Sequence, residues 1–267
     1  MKDKDIQFKF LRIDKHEDDS IFILTIDHPP ANTLSLSILD EMDGAFNLFD
    51  SDANTKILIL TGSGDRAFCA GADVNEIMNI TSPENGILHA RRGQDLCNKI
   101  ENSDKPVIAA INALCLGGGN EIATACHIRI ASERAKFAQP EINLGIIPGF
   151  GGTQRLARLI GLSRARKLIL TGDMITAKEA FEFGLVDEVV EQSKVLSRAI
   201  ELAKRITRNG QAGVRLAQKA LREGYRKSLS EGLELELECF GKICETEDMK
   251  EGLSAFKEKR PPIFKNQ

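Results

Sequence analysis

Between Lys105 and Leu156 the chain passes twice through a glycine cluster into a helical pattern, and the rest of the chain is organised around that stretch. Pro106 introduces Val107 to Ile111, a short apolar run that reads as a buried strand. Gly117, Gly118 and Gly119 follow, and a helical segment from Asn120 to Cys126 carries Glu121 in its first turn. Twenty residues beyond Glu121 stands Glu141, in Gln139-Pro140-Glu141. Pro148-Gly149-Phe150-Gly151-Gly152 then makes a second glycine-rich turn ahead of another helix.

The triple glycine opens backbone conformations closed to residues with a Cβ, and it lets a ligand approach the main chain. A helix that starts there leaves N–H groups free, with the helix dipole behind them. Such a site stabilises an oxyanion as readily as a phosphate. A carboxylate one turn into that helix is placed to act as an acid or a base. Plain turn chemistry accounts for the same residues, because glycine favours turns and the dipole alone favours Glu in a first turn. The residues by themselves leave both readings open.

The 267 residues, with 42% apolar content, suffice for one large domain or one domain with a small appendage. The net charge of −3 argues against nucleic acid as the main partner. No apolar run reaches the roughly 20 residues of a membrane span. Met1-Lys2-Asp3-Lys4-Asp5 is charged and lacks the apolar core of a signal peptide, so a cytoplasmic protein is expected. Six cysteines, at 69, 97, 115, 126, 239 and 244, form no C-x-x-C pair and no cluster with the four histidines. They read as reduced, mostly buried thiols, and no metal site is expected. The absence of a Walker A motif, a complete G-x-G-x-x-G and a G-x-S-x-G removes the simplest NTPase, dinucleotide and serine-hydrolase readings.

Ser20 to His28 reads as a buried strand ended by Pro29-Pro30, and Lys56 to Thr61 as another. Between them Leu39, Met42, Phe46 and Phe49 fall on one helical stripe. Ser82 to Gly93 has mixed polarity and little periodicity. Thr176-Ala177-Lys178-Glu179 is a capping box, Gly184 a plausible helix end, and Leu185 to Val190 a short strand. From about Val195 the pattern is helical. Leu233 to Leu237 alternates like a strand, but Ser228-Leu229-Ser230-Glu231 is a capping box. Leu229, Leu233, Leu237, Phe240 and Cys244 then follow at helical spacings.

The organising stretch resembles the enoyl-CoA hydratase (crotonase) family. The matching residues are Lys105 to Ala110, Leu116 to Gly119, Glu121, Ala125-Cys126, Arg129 to Ala131, Phe137 and Pro140-Glu141. Leu144-Gly145, Ile147 to Gly149 and Gly151 to Leu156 complete the stretch. Ala67 to Asp73, Leu170 to Gly172, Gly184 to Val186 and Gly252 to Phe256 with Lys259-Arg260 extend it. His127 stands where the family usually has an acidic residue, and Ala113 where it often has glycine. The resemblance implies an α/β superhelix of strand-strand-helix units over residues 1–195. Residues 196–267 would then be a helical region that builds trimers or dimers of trimers.

For function, the resemblance implies hydration of 2-enoyl-CoA thioesters, a lyase activity of β-oxidation or related acyl-CoA degradation, with no separate cofactor. Glu121 would be the base toward water and Glu141 the acid toward Cα. The N–H groups of Ala72 and Gly118 would form the oxyanion hole, and Gly149 would help to hold the water. Ala70, Ala72, Asp73, Val74, Asn75 and Gly118 would border the coenzyme A moiety, and Phe256 and Lys259 would approach that of a neighbouring subunit. Isomerases of the family often lack the carboxylate at the position of Glu121, so both carboxylates together favour hydration. Some crotonase-like proteins bind RNA, but no basic stripe supports that here.

Overall fold

The computed structural model describes residues 8–17 and 19–265; the charged residues 1–5 lie outside them. Strand β1 (Leu11–His16) runs antiparallel to β2 (Ile21–Ile26), which pairs in parallel with β3 (Ile57–Gly62). Strands β5 (Val107–Ile111), β7 (Ile128–Ser132) and β10 (Glu188–Val190) continue the parallel sheet, in the order β1-β2-β3-β5-β7-β10. Every residue of β2, β3 and β5 is buried, because a parallel sheet covered on both faces needs apolar side chains at successive positions. Alternation sorts them into two cores. Phe22, Leu24, Leu58, Leu60 and Ala109 face the larger one, which receives Met42, Phe46 and Phe49 from helix α1 (Leu36–Ser51). Ile21, Ile23, Ile57, Ile59 and Ile108 face the other, covered by Val195, Ala199 and Ala203 of α8 (Val195–Thr207).

A second sheet is made of the short strands β4 (Ala67–Cys69), β6 (Leu114–Leu116), β8 (Lys136–Ala138) and β9 (Ile175–Thr176). Strand β4 follows β3, β6 follows β5 and β8 follows β7, so the chain alternates between sheets before each helical segment. After β4 come α2 (Val74–Met78) and α3 (Pro83–Glu101). After β6 comes α4 (Gly118–Ala125), and after β8 a 3-10 turn, Pro140–Leu144, leads to α5 (Gly152–Ile160). These are the strand-strand-helix units of the expected superhelix. The ends of β4 and β6 therefore lie side by side, and so do the turns that leave them.

Lys105 locks the entry to the second unit. Its buried ammonium donates to the carbonyls of Phe49, at 2.7 Å, and Asp52, at 2.8 Å, at the C-terminal end of α1. A cation there satisfies carbonyls that the helix leaves free and meets the negative end of its dipole.

The remaining elements are α6 (Leu162–Thr171), α7 (Ala177–Phe183), α9 (Gln211–Gly224), α10 (Leu229–Ile243) and α11 (Glu247–Glu258). Both capping boxes form, with Thr176 opening α7 and Ser228 opening α10, so the alternating Leu233 to Leu237 is helical. The aperiodic stretch Ser82 to Gly93 is the cap and first half of α3. The buried residues of that helix are Gly93, Leu96, Cys97 and Ile100, so its first half has no apolar stripe to read. The strand expected from Leu185 shortens to Glu188–Val190, because the N–H groups of Leu185 and Val186 turn back to the Ala180 carbonyl and close α7. Five of the cysteines are buried and Cys244 is exposed. Among the described residues no helix is long and apolar enough to cross a membrane.

His127 joins this frame to α9. Its Nδ1 accepts the Val107 N–H at 2.8 Å, so the proton sits on Nε2, which faces the Glu101 carbonyl at 3.3 Å. The Gln218 amide of α9 lies 3.1 Å from the ring. Burial holds the imidazole down to about 4. A histidine held below its unfolded value of about 6.5 takes up a proton on unfolding in the interval between. Stability is thus full above about 6.5 and falls as the pH drops towards 4. Denaturant unfolding at pH 7.5 and 5.0 should show the parent losing on the order of 2 kcal/mol more than His127→Gln over that interval. Equal losses in the two proteins would show that His127 titrates normally.

Candidate active site

A cavity of about 780 Å³ opens where the turns after β4, β6 and β8 meet. The start of α4, the loop from Gly145 to Phe150 and the first half of α3 complete its wall. Ala70, Ala72, Val74, Gly118, Glu121, Glu141 and Gly149 all lie on it, although they come from three successive units of the chain.

Ala72 pairs with Leu34 in an isolated parallel bridge. Leu34 donates to the Gly71 carbonyl and accepts the Asp73 N–H, each at 2.8 Å, on one side of this segment. The N–H of Ala72 is therefore turned the opposite way. Gly118 opens α4, so its N–H belongs to the first turn, which has no helical acceptor. Two main-chain donors thus border one cavity, each freed by a different element.

Glu121 is 2% exposed on the first turn of α4. Its Oε1 accepts the N–H of Phe150 at 2.8 Å and of Gly152 at 2.6 Å. Burial, and then the charge of Glu141, push its carboxyl up to about 8; the two N–H bonds and Arg155 oppose that rise. Glu141 lies in the first turn of the 3-10 segment and burial raises it to about 6. The side-chain amide of buried Gln139, oriented by its partners, donates to both Glu141 oxygens at 3.1 and 3.2 Å. Gly117 leaves the room: at φ +49°, a Cβ there would lie 2.9 Å from the nearer Glu141 oxygen. Of the two carboxyls Glu121, the more deeply buried, is raised the further, and so holds a proton more strongly.

The other expected site residues divide. Asp73 caps α2, its carboxylate accepting the Asn75 backbone N–H at 2.8 Å and side-chain amide at 3.0 Å, and Val74 is 46% exposed beside them. Gly149 turns its carbonyl to the Gln94 amide at 2.9 Å, and the loop N–H groups that reach Glu121 belong to Phe150 and Gly152. Phe256, 86% exposed on α11, and Lys259, which closes that helix at φ +56°, are not part of this wall. Arg92 pairs with Asp40. Two contributors escape sequence reasoning. Gln139 stands two residues before Glu141, and its amide was the only signal. Arg155 looks like an ordinary first-turn residue of α5, yet it donates to the Phe150 carbonyl at 3.0 Å.

Residues 16–267 match the family described as enoyl-CoA hydratase/isomerase. The short-chain-enoyl-CoA hydratase of Clostridium acetobutylicum is 43% identical over 256 residues, 94% of this chain and 97% of that protein. The crotonyl-CoA hydratase of Syntrophomonas wolfei is 43% identical over 249 residues, 93% of this chain and 95% of that one. The crystal structure of an enoyl-CoA hydratase from Bacillus anthracis superposes with a TM-score of 0.93 at 41% identity, covering 97% of this chain and 100% of that chain.

The burial of Glu121 has a measurable cost. A carboxyl whose folded value lies above its unfolded value releases its proton on unfolding in the interval between. Stability therefore declines as the pH rises from about 4.3 towards 8. Glu121→Gln keeps an oxygen for the two N–H donors and removes the titration. Relative to the parent it should gain on the order of 2–4 kcal/mol between pH 5 and 8.5 in denaturant unfolding. A difference that is flat with pH would mean that Glu121 titrates as an exposed carboxylate.

Proposed function

The chain belongs to the enoyl-CoA hydratase/isomerase family, and from that premise we propose that it is an enoyl-CoA hydratase, a hydro-lyase that adds water reversibly to 2-enoyl-CoA thioesters to give 3-hydroxyacyl-CoA. The observation that carries this reading is the pair of carboxylates on one cavity, Glu121 buried and tied to two backbone N–H groups, Glu141 half-buried and tied to an amide. The hydratase names of the relatives support it. The activity fits β-oxidation or related acyl-CoA degradation in the cytoplasm.

The thioester oxygen is taken to point at the N–H groups of Ala72 and Gly118. Attack of water forms the C3–O bond and sends the π electrons of C2=C3 through C1 onto that oxygen. One oxyanion donor is worth about 2.7–4 kcal/mol of barrier. Glu121 takes the proton that water loses. The enolate collapses as C2 takes a proton from Glu141. The sum is one water added, with Glu121 protonated and Glu141 ionised. Before the next hydration Glu121 must lose that proton and Glu141 regain one. The step balances with substrate and side chains alone, so no metal or redox group enters it, and coenzyme A arrives as part of the substrate. Isomerisation asks for one carboxylate only, and the elaborate housing of Glu121 favours hydration.

Assembly is read from α10. Leu229, Leu233, Leu237 and Phe240, between 50% and 81% exposed, leave a long apolar stripe uncovered. We take it as a subunit interface in a trimer or a dimer of trimers. Phe256 and Lys259 would then meet the coenzyme A of a neighbouring subunit. Asp73, Val74 and Asn75 border that of their own, and Gly149 helps to hold the attacking water.

Hydration of crotonyl-CoA and longer enoyl-CoAs should fall by at least about a hundredfold in Glu121→Gln and in Glu141→Gln. The double variant should be little worse than either single, because groups that act as a unit are not additive. Near-parental hydration in either single variant would defeat the two-carboxylate mechanism. Light scattering at micromolar concentration should give a trimer or hexamer, and a monomer would defeat the interface.

A further inference from the structure

We propose that Arg155, Glu101 and Arg226 form a positioning relay that runs from the turn between α9 and α10 to the loop holding Glu121, with Arg155 at its working end. The proposal rests on the reading of Glu121 as a catalytic residue.

The geometry begins at Phe150. Its N–H donates to Glu121 Oε1 at 2.8 Å, and its carbonyl accepts from the Arg155 guanidinium at 3.0 Å. Both backbone groups of one residue are thus engaged, one by the carboxylate and one by the cation. Gly151, at φ +111°, turns the chain so that the Gly152 N–H converges on the same oxygen at 2.6 Å. A Cβ at Gly151 would collide with the Arg155 guanidinium, so the loop is shaped around that group. Freed from Arg155, the Phe150 peptide is anchored on one side only.

Arg155 is itself held. Its side chain is 13% exposed, its Nε donates to Glu101 Oε2 at 3.0 Å, and another guanidinium nitrogen donates to Asn98 at 2.6 Å. Its fork therefore has one arm on the loop and the others on the end of α3. Glu101, the last residue of α3, carries a second cation: the Arg226 guanidinium donates to its Oε1 at 2.8 Å. Against the effect of burial, the two arginines hold the Glu101 carboxyl below the usual range. Arg226 lies between α9 and α10, two residues before the Ser228 cap of the helix that bears the uncovered apolar stripe. The C-terminal helices and the Glu121 loop are thus joined through two ion pairs that share one carboxylate.

A lysine at 155 keeps the charge but cannot hold the loop, Glu101 and Asn98 at once. The test measures kcat and KM for hydration of crotonyl-CoA in Arg155→Lys, Arg155→Gln, Glu101→Gln, Arg226→Gln and the Glu101/Arg226 double variant. Circular dichroism and light scattering check the fold and assembly of each. A displacement of about 1 Å at a catalytic group costs about a hundredfold in rate. Arg155→Gln should lose about ten- to a hundredfold in kcat with KM changed less than about threefold, and Arg155→Lys should fall between it and the parent. Arg226→Gln should lose a few-fold, and the double variant should be no slower than Glu101→Gln alone. The acid limb of the kcat profile should also move to higher pH in Arg155→Gln. Glu121 then faces the like charge of Glu141 and the thiol of Cys97 with only the two loop N–H groups to favour ionisation. Glu121→Gln is assayed beside them. If it is inactive while both Arg155 variants keep parental kcat, the relay is overturned and the function stands. If Glu121→Gln is itself active, the reading beneath the relay fails. Arg226 is 54% exposed, so its replacement should leave the fold intact. Parental kcat in folded, assembled Arg226→Gln would cut the relay at Glu101 even if an Arg155 variant does not fold.

Discussion

The hydrogen bonds from the Phe150 and Gly152 N–H groups to Glu121 are the constraint around which the rest is arranged. A carboxylate almost wholly withdrawn from water must be paired or neutralised. Here two peptide dipoles do part of that, and burial, which favours the neutral carboxyl, does the rest. The arrangement requires a loop rigid enough to aim two donors at one oxygen. It also requires a helix start that brings Glu121 to them, and a turn that sets Glu141 on the same cavity. The two sheets supply these by fixing where the turns after β4, β6 and β8 emerge.

Much of this was legible in the residues. Largely apolar strands such as Ile21–Ile26 signal burial on both faces, and both capping boxes formed where their side chains predicted. The glycines and the two glutamates marked the turns that matter. What pattern alone could not show was distance. Glu121 and Glu141 share a cavity because β6 and β8 are neighbours in the second sheet, and strands of three residues give almost no periodicity. The resemblance supplied that juxtaposition.

The first half of α3 was hidden for a related reason. Its side chains face either solvent or the cavity, so no apolar stripe declares the helix, although Ser82 and Pro83 mark its start. The roles of Gln139 and Arg155 were not legible because each acts through one side-chain contact with a carboxyl or backbone group, and single polar residues carry no pattern.

The order of the units along the chain bears on synthesis. Every group that touches the cavity near the two acids, from Ala70 to Thr153, leaves the ribosome before α8 does. The strands that aim them are also complete by then, β10 at the far edge of the sheet included. Until Val195 to Ala203 arrives, however, Ile21, Ile23, Ile57, Ile59 and Ile108 form a bare apolar surface. A nascent chain of this protein therefore reaches the shape of its site while its sheet is still sticky, and that interval is when a chaperone has most to protect.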